Sequence, residues 1–414
     1  MKKSACLLWL VPFALVLQIA GCSKEAANSG DELARARALL QDTILIDGHN
    51  DLPALLRDIP GGVDAYDMRG TTSGDTDLQR LRDGGVGAQF WSVYIPGELK
   101  SGYARNQLEQ IDIARRLIER YPDTFQFAGT AADIRAAKRA GKIASLMGIE
   151  GGHAIENSLG VLRSYYDLGV RYMTLTHNTH TDWADSAAEV PARHNGLNTL
   201  GEQIVHEMNR IGMLVDLSHT SEDTTQDVLR ISRAPVIFSH SATKAICDVP
   251  RNVSDLSLRL LKANGGVLMV TFVAGFIDPA VAEVMQPAIE RYNALAKSAA
   301  TDEERAGLFD SILGALEMPP TSVAVVADHI EHIRGLIGVE HIGIGGDFDG
   351  NSWWPDGLSD VSMYPNLFAE LIRRGWTEAD LKAIAGENVL RVMEQAEQVA
   401  AAMQGEQSAT GVTD

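Results

Sequence analysis

The sequence predicts a (β/α)8, TIM-like barrel on three observations. Eight short apolar or alternating runs recur along the chain, helical periodicity fills the stretches between them, and metal-competent side chains follow six of the eight. Alternating strands and helices imply parallel strands with right-handed crossovers, and eight such units suffice to close a barrel. An open doubly wound sheet is the competing arrangement.

The candidate strands are Thr43 to Ile46, Ala88 to Ile95, Ile143 to Ile149, Tyr172 to Thr176, Met213 to Leu217, Pro235 to Phe238, Val267 to Phe272 and His341 to Ile344. Helical spacing is clearest in Asn106 to Arg120, where Leu108, Ile111, Ala114 and Ile118 fall on one face, and in Leu197 to Ile211. Ile277 to Leu316 exceeds a standard crossover and reads as an added helical excursion. Thr377 and Asp380 stand where a capping-box variant would start a helix. These elements make residues 41–400 a single catalytic domain, followed by a polar tail at 401–414.

Composition narrows the function. The 414 residues are 45% hydrophobic and 22% charged, with a mean hydropathy of -0.06, which excludes disorder and a polytopic membrane fold. Lys and Arg number 36 against 55 Asp and Glu, a net charge of -19, so nucleic acid is not an expected partner. Lys2 and Lys3 precede an apolar stretch, Leu7 to Ala20, that is too short to span a bilayer but fits a secretory signal. It ends in Ile19-Ala20-Gly21-Cys22, which resembles the bacterial lipobox. That resemblance implies a signal peptide at 1–21, an acylated Cys22 and a tether at 22–40. Ser23 after the cysteine then favours a periplasm-facing position on the outer membrane, with the lipid as the only membrane contact. Of the three cysteines, only Cys247 would remain free, as a buried small hydrophobe without a disulfide partner.

The chemistry sits at the strand ends. His49 and Asp51 follow the first run, Glu150 the third, His177 the fourth, His219 the fifth, His240 the sixth and Asp347 the eighth. In a barrel the carboxyl ends of all strands meet on one rim, where catalytic groups sit. Neutral imidazoles with carboxylates form a ligand set for Zn²⁺ or a similar ion, and a bridging carboxylate lets two ions share a site. Competing motifs fail. His206-Glu207 does not continue to HExxH, GxSxG is absent, Phe348 replaces the third glycine of a dinucleotide fingerprint, and Asp347-Phe348-Asp349-Gly350 lacks the EF-hand spacing. His329 and His332 are expected to face solvent on a helix.

The segments IDGHNDLP, GIEGGHAIENSLGVLRSYYDLGVRYMTLTH, DLSH, APVIFSHSA, RNVSDL and IGIGGDFDG resemble the membrane (renal) dipeptidase family, binuclear zinc peptidases of the amidohydrolase superfamily, from about residue 43 to 395. The resemblance implies a barrel of the metal-dependent hydrolase type and two Zn²⁺ ions per chain. His49 and Asp51 would hold one ion, His219 and His240 the other, and Glu150 would bridge them together with a hydroxide. His177 would stabilise the tetrahedral intermediate, Arg251 would bind the substrate carboxylate, and Asp347 would handle the proton. The implied reaction is hydrolysis of dipeptides, including those with a C-terminal D-residue, by a protein that is commonly a dimer in the family. A lactone- or β-lactam-opening amidohydrolase and a non-catalytic metal- or peptide-binding lipoprotein are the alternatives. Three features depart from the family: Thr179 replaces a cysteine, Phe276 stands where a tyrosine is expected, and the 277–316 excursion is long.

Overall fold

The computed structural model describes residues 17–99, 101–296 and 316–410, with 298, 299, 301, 304, 307, 308 and 311–314 between the last two stretches. Residues 1–16 of the expected signal peptide and the last four of the tail lie outside the described residues. Nine strands form one parallel sheet: β1 (Leu45–Asn50), β2 (Val86–Ser92), β3 (Phe125–Phe127), β4 (Ile143–Glu150), β5 (Val170–Thr174), β6 (Leu214–Asp216), β7 (Ile237–Ser241), β8 (Val267–Val270) and β9 (Ile342–Ile344). Their order is β2-β1-β9-β8-β7-β6-β5-β4-β3, and pairing of Ala88–Ser92 with Ala144–Gly148 joins β2 to β4. Eight strands therefore close a (β/α)8 barrel, as expected. The ninth, β3, went unforeseen because three residues carry almost no periodicity; it pairs only with the start of β4.

Alternation along each strand sorts two apolar layers. Ile44, Ile46, Ala88, Phe90, Ala144, Leu146, Tyr172 and Met269 cluster with Val389, Leu390 and Met393 of the C-terminal helix, which packs against the strand starts. Leu45, Trp91, Met147, Ile149 and Met173 join the layer between barrel and helices. Strands buried on both faces are the rule in a parallel sheet. The crossover helices start on side-chain caps: Thr130 accepts from Asp133 N, Ser158 from Val161 N, Ser221 from Thr224 N and Ser254 from Ser257 N. Thr377 caps Asp380 N, as its spacing predicts. Of the expected 277–316 excursion, Pro279–Ala296 is a helix, and part of the remainder lies outside the described residues.

Several boundaries need correction. The expected tether at 22–40 belongs to a helix, Leu17–Asp42, whose Ala36, Leu39 and Leu40 are buried beside the helix Tyr364–Arg373. Their three- and four-residue spacing is a core-facing stripe hidden among charges. The expected tail begins inside the helix Asn388–Thr410, where Ala396, Ala400 and Met403 are buried. On the helix Tyr103–Arg120, Leu108 is 47% exposed and does not share the buried face; Gln107 and Gln110 take the inner positions. Gln107 donates to the Val93 carbonyl (2.8 Å), and Gln110 accepts from Arg57 (3.1 Å).

His329 does not face solvent; it is fully buried. Thr243 N donates to its Nδ1 (3.1 Å), and Nε2 donates to the Ile277 carbonyl (2.8 Å). His332 pairs with Asp255 (2.7 Å) in a half-buried position. Burial holds the His329 imidazole down at about 4. An unfolded histidine titrates near 6.5, so the unfolded chain gains the proton first as pH falls, and native stability drops between about pH 6.5 and 4. The loss from this group is roughly 3 kcal/mol across that window. Denaturant unfolding of the wild type and of His329→Gln at both ends of the window should show a shallower pH dependence in the variant. Parallel curves would contradict the assignment.

Candidate active site

The barrel delivers seven expected residues to one rim. His49 lies within β1 and Asp51 just beyond it, Glu150 ends β4, and His240 lies within β7. His177, His219 and Asp347 each stand three residues past β5, β6 and β9. Glu150 Oε1 is their meeting point, with Nε2 of His219 at 3.0 Å, His240 at 3.3 Å, His49 at 3.7 Å and His177 at 3.9 Å. His49 Nε2 lies 3.3 Å from Asp51 Oδ2 and 3.9 Å from Asp347 Oδ1. His219 and Asp347 adopt left-handed backbone at φ 67° and 69°, a conformation that costs non-glycine residues about 1–3 kcal/mol and concentrates at functional sites. Gly350 leaves room for the carboxylates, since a Cβ there would lie 2.2 Å from Asp51 Oδ2.

The donor set fits metal. Ligand atoms of His49, Glu150 and His240, of Glu150, His177 and His219, and of His49, Asp51 and Asp347 each lie within 4.8 Å of one another. His49 Nε2 and Asp51 Oδ1 are buried without a hydrogen bond of good geometry, an arrangement that costs about 1–3 kcal/mol per atom unless a cation occupies the gap. Burial, helped by the Arg251 charge, holds His219 and His240 well below their ordinary value, so both present neutral lone pairs. Burial works to raise Glu150, yet the surrounding imidazoles hold its carboxyl well below the usual range. Burial pushes Asp347 well above its ordinary value, and the neighbouring Asp51 and Glu150 add to the shift.

Arg251 is buried beside the cluster. It donates to Ser241 Oγ and to the His240 carbonyl, both at 3.0 Å, while its Nε has no hydrogen-bond partner among the described residues. Burial lowers it to about 10, so it stays cationic at neutral pH. Its guanidinium carbon lies 5.3 Å over the Phe276 ring, so the position lacking the expected hydroxyl does face this arginine. A cavity of about 210 Å³ reaches Arg251, and another of about 320 Å³ is lined by Tyr94, Glu98, Asn178, Thr179 and Tyr292. Tyr94 links the second cavity to the cluster, its ring 4.8 Å from that of His177.

Sequence reasoning missed the residues behind the ligands. Asp47 accepts from His49 N (2.7 Å), Gly346 N (3.0 Å), Gln89 Nε2 (3.1 Å) and Tyr364 OH, tying β1 to the β9 loop. Asp216 accepts from Ser239 N (2.8 Å), Ser218 N (3.1 Å) and Thr174 Oγ1 (2.5 Å). The Ser-His pair recurring in DLSH and FSH was a visible signal for Ser239. Tyr172 reads as core in its strand. A Cβ at Gly148 would fall 2.0 Å from its ring, so only glycine lets that ring cross the barrel.

Several known proteins resemble this chain over most of its length. Dipeptidase 3 of Rattus norvegicus is 44% identical over 373 residues, covering 88% of this chain and 67% of the relative. Dipeptidase verJ of Clonostachys rogersoniana is 43% identical over 385 residues, covering 90% of this chain and 89% of the relative. A Rhodobacter sphaeroides metallopeptidase solved with a phosphinate mimic of L-Ala-D-Ala superimposes with a TM-score of 0.70 at 25% identity, covering 86% of this chain and 99% of that one. The probable dipeptidase PvdM of Pseudomonas aeruginosa, at 24% identity, shares the fold with a TM-score of 0.76 over 89% of this chain and 99% of its own. The family model for membrane dipeptidase matches residues 33–407, nearly the whole described barrel, and the chain therefore belongs to the membrane dipeptidase family, peptidase family M19.

Proposed function

We propose that the chain is a zinc-dependent metallo-dipeptidase whose substrates include dipeptides with a C-terminal D-residue. The convergence of four imidazoles on Glu150 carries the reading. The dipeptidase relatives support it over a lactonase, a β-lactam-opening enzyme or a non-catalytic lipoprotein. The ligand captured in the Rhodobacter structure supports the D-residue. His49 and Asp51 would hold one zinc ion and His219 and His240 the other, with Glu150 reaching both. When bound, two such ions would bring the pKa of water down toward about 7 and polarise the scissile carbonyl.

The chain's own groups supply the rest. His177 donates to the developing oxyanion, a contact typically worth ~3 kcal/mol of barrier. Asp347, at the edge of the cluster beside His49, takes a proton from the nucleophile and returns it to the leaving amine. Arg251 pairs with the substrate's terminal carboxylate, which places the adjacent bond and penalises longer peptides. The sequence Ile19-Ala20-Gly21-Cys22 supports acylation of Cys22 and a periplasm-facing place on the outer membrane. The described residues contain no helix long and apolar enough to cross a membrane. A homodimer is the proposed assembly.

Zinc-loaded protein should release amino acids from L,L and L,D dipeptides, lose that activity on chelation and regain it with zinc; no release across a dipeptide panel would refute the reading. Arg251→Ala should raise the dipeptide KM about 100-fold, from loss of charged hydrogen bonds worth about 3 kcal/mol, while turnover of any neutral lactone stays unchanged. Asp347→Asn should lower kcat by about 10²–10⁴ with metal content intact. An unchanged kcat would remove Asp347 from proton transfer.

A further inference from the structure

We infer that two hydroxyls, of Tyr172 and Ser239, fix the tautomers of His49 and His240 and act as positioning residues for the two metal ligands. The inference rests on the ligand set proposed above. An imidazole can bind a cation through Nε2 only when its proton is on Nδ1, and a neutral histidine chooses between the two nitrogens according to its neighbours. A hydroxyl next to Nδ1 does not decide the matter alone, because it can donate or accept. It decides once its single hydrogen is committed elsewhere.

Both hydroxyls are so committed. Tyr172 OH has the Gly48 carbonyl as an acceptor for its hydrogen (3.2 Å), and with the hydrogen placed there its oxygen accepts from His49 Nδ1, 2.8 Å away. Ser239 Oγ donates to Asp216 Oδ2 (2.6 Å), so its oxygen accepts from His240 Nδ1, also 2.8 Å away. Carbonyl and carboxylate oxygens have no hydrogen to return, which sets the direction of each chain. Both Nε2 lone pairs are thereby turned toward Glu150, one from each proposed ion. The Nε2 atoms of His240 and His219 stand 3.0 Å apart, a separation that two lone pairs tolerate only with a proton or cation between them. His219 differs: its Nδ1 has no hydrogen-bond partner among the described residues. Bracing is thus given to one imidazole per ion. Tyr172 is held in turn by the gap at Gly148, and Asp216 by Thr174 and two backbone amides.

The test uses Tyr172→Phe and Ser239→Ala in the full-length chain. Zn²⁺ and Co²⁺ are titrated into each apoprotein against a chromophoric chelator, the cobalt absorption spectrum is recorded, and the apo Tm is measured. Outer partners of metal-bound histidines are typically worth about 10–100-fold in metal affinity. Each variant should bind one of its two ions weaker by that factor, with an altered cobalt spectrum and an apo Tm close to wild type. Wild-type affinity and spectrum in both variants would overturn the inference, as would losses matched by a collapse of apo Tm, which would mark a packing role. The two substitutions address different ions, so either alone decides the matter if the other does not fold. A wild-type chain that takes up neither ion would overturn the ligand set and this inference with it. One that binds metal but cleaves no dipeptide would defeat only the dipeptidase reading, and the affinity comparison would still stand.

Discussion

One buried anion organises this molecule. The Glu150 carboxylate ends β4 under four imidazoles carried by β1, β7 and the loops after β5 and β6, none farther than 3.9 Å from its Oε1. A carboxylate so enclosed is tolerable only if positive charge or hydrogen bonds replace the water it has lost. Around it, Asp51 and Asp347 add further negative charge, so the rim as a whole is short of cations. Bound metal ions would resolve that imbalance.

Precision in such a site comes from the barrel and from what stands behind the ligands. Strand pairing sets where each strand ends to within a residue, but not where an imidazole points. Aim comes from Asp47 and Asp216, two carboxylates that gather backbone amides and hydroxyls from neighbouring strands. They stiffen the rim as a unit, and the left-handed backbone at His219 and Asp347 is the local cost.

Much of this was legible in the chain. The eight barrel strands announce themselves as apolar runs, and the ligand residues announce themselves by standing at the ends of those runs. Legibility failed where the deciding contact was distant in sequence. The stripe of Ala36, Leu39 and Leu40 looked like a tether because its partner helix lies more than 300 residues away. Gln107 and Gln110 displaced Leu108 from the buried face because hydrogen bonds to Val93 and Arg57 compensate them. His329 appeared exposed because nothing nearby in sequence shows that Thr243 and Ile277 would enclose it. Tyr172 was hidden for a different reason: it has an ordinary core identity, and only geometry reveals its bond to His49.

The gap at Gly148 makes two positions a single unit of inheritance. A methyl group at 148 would overlap the Tyr172 ring, and a smaller side chain at 172 would leave a void in the middle of the barrel. Residue 148 has no room for a side chain while a ring stands at 172, and a lineage could exchange the pair only by passing through a less stable intermediate. The barrel interior therefore preserves an aromatic ring beside His49 through packing alone, whereas the hydroxyl that reaches the imidazole is free to be lost without any cost in packing.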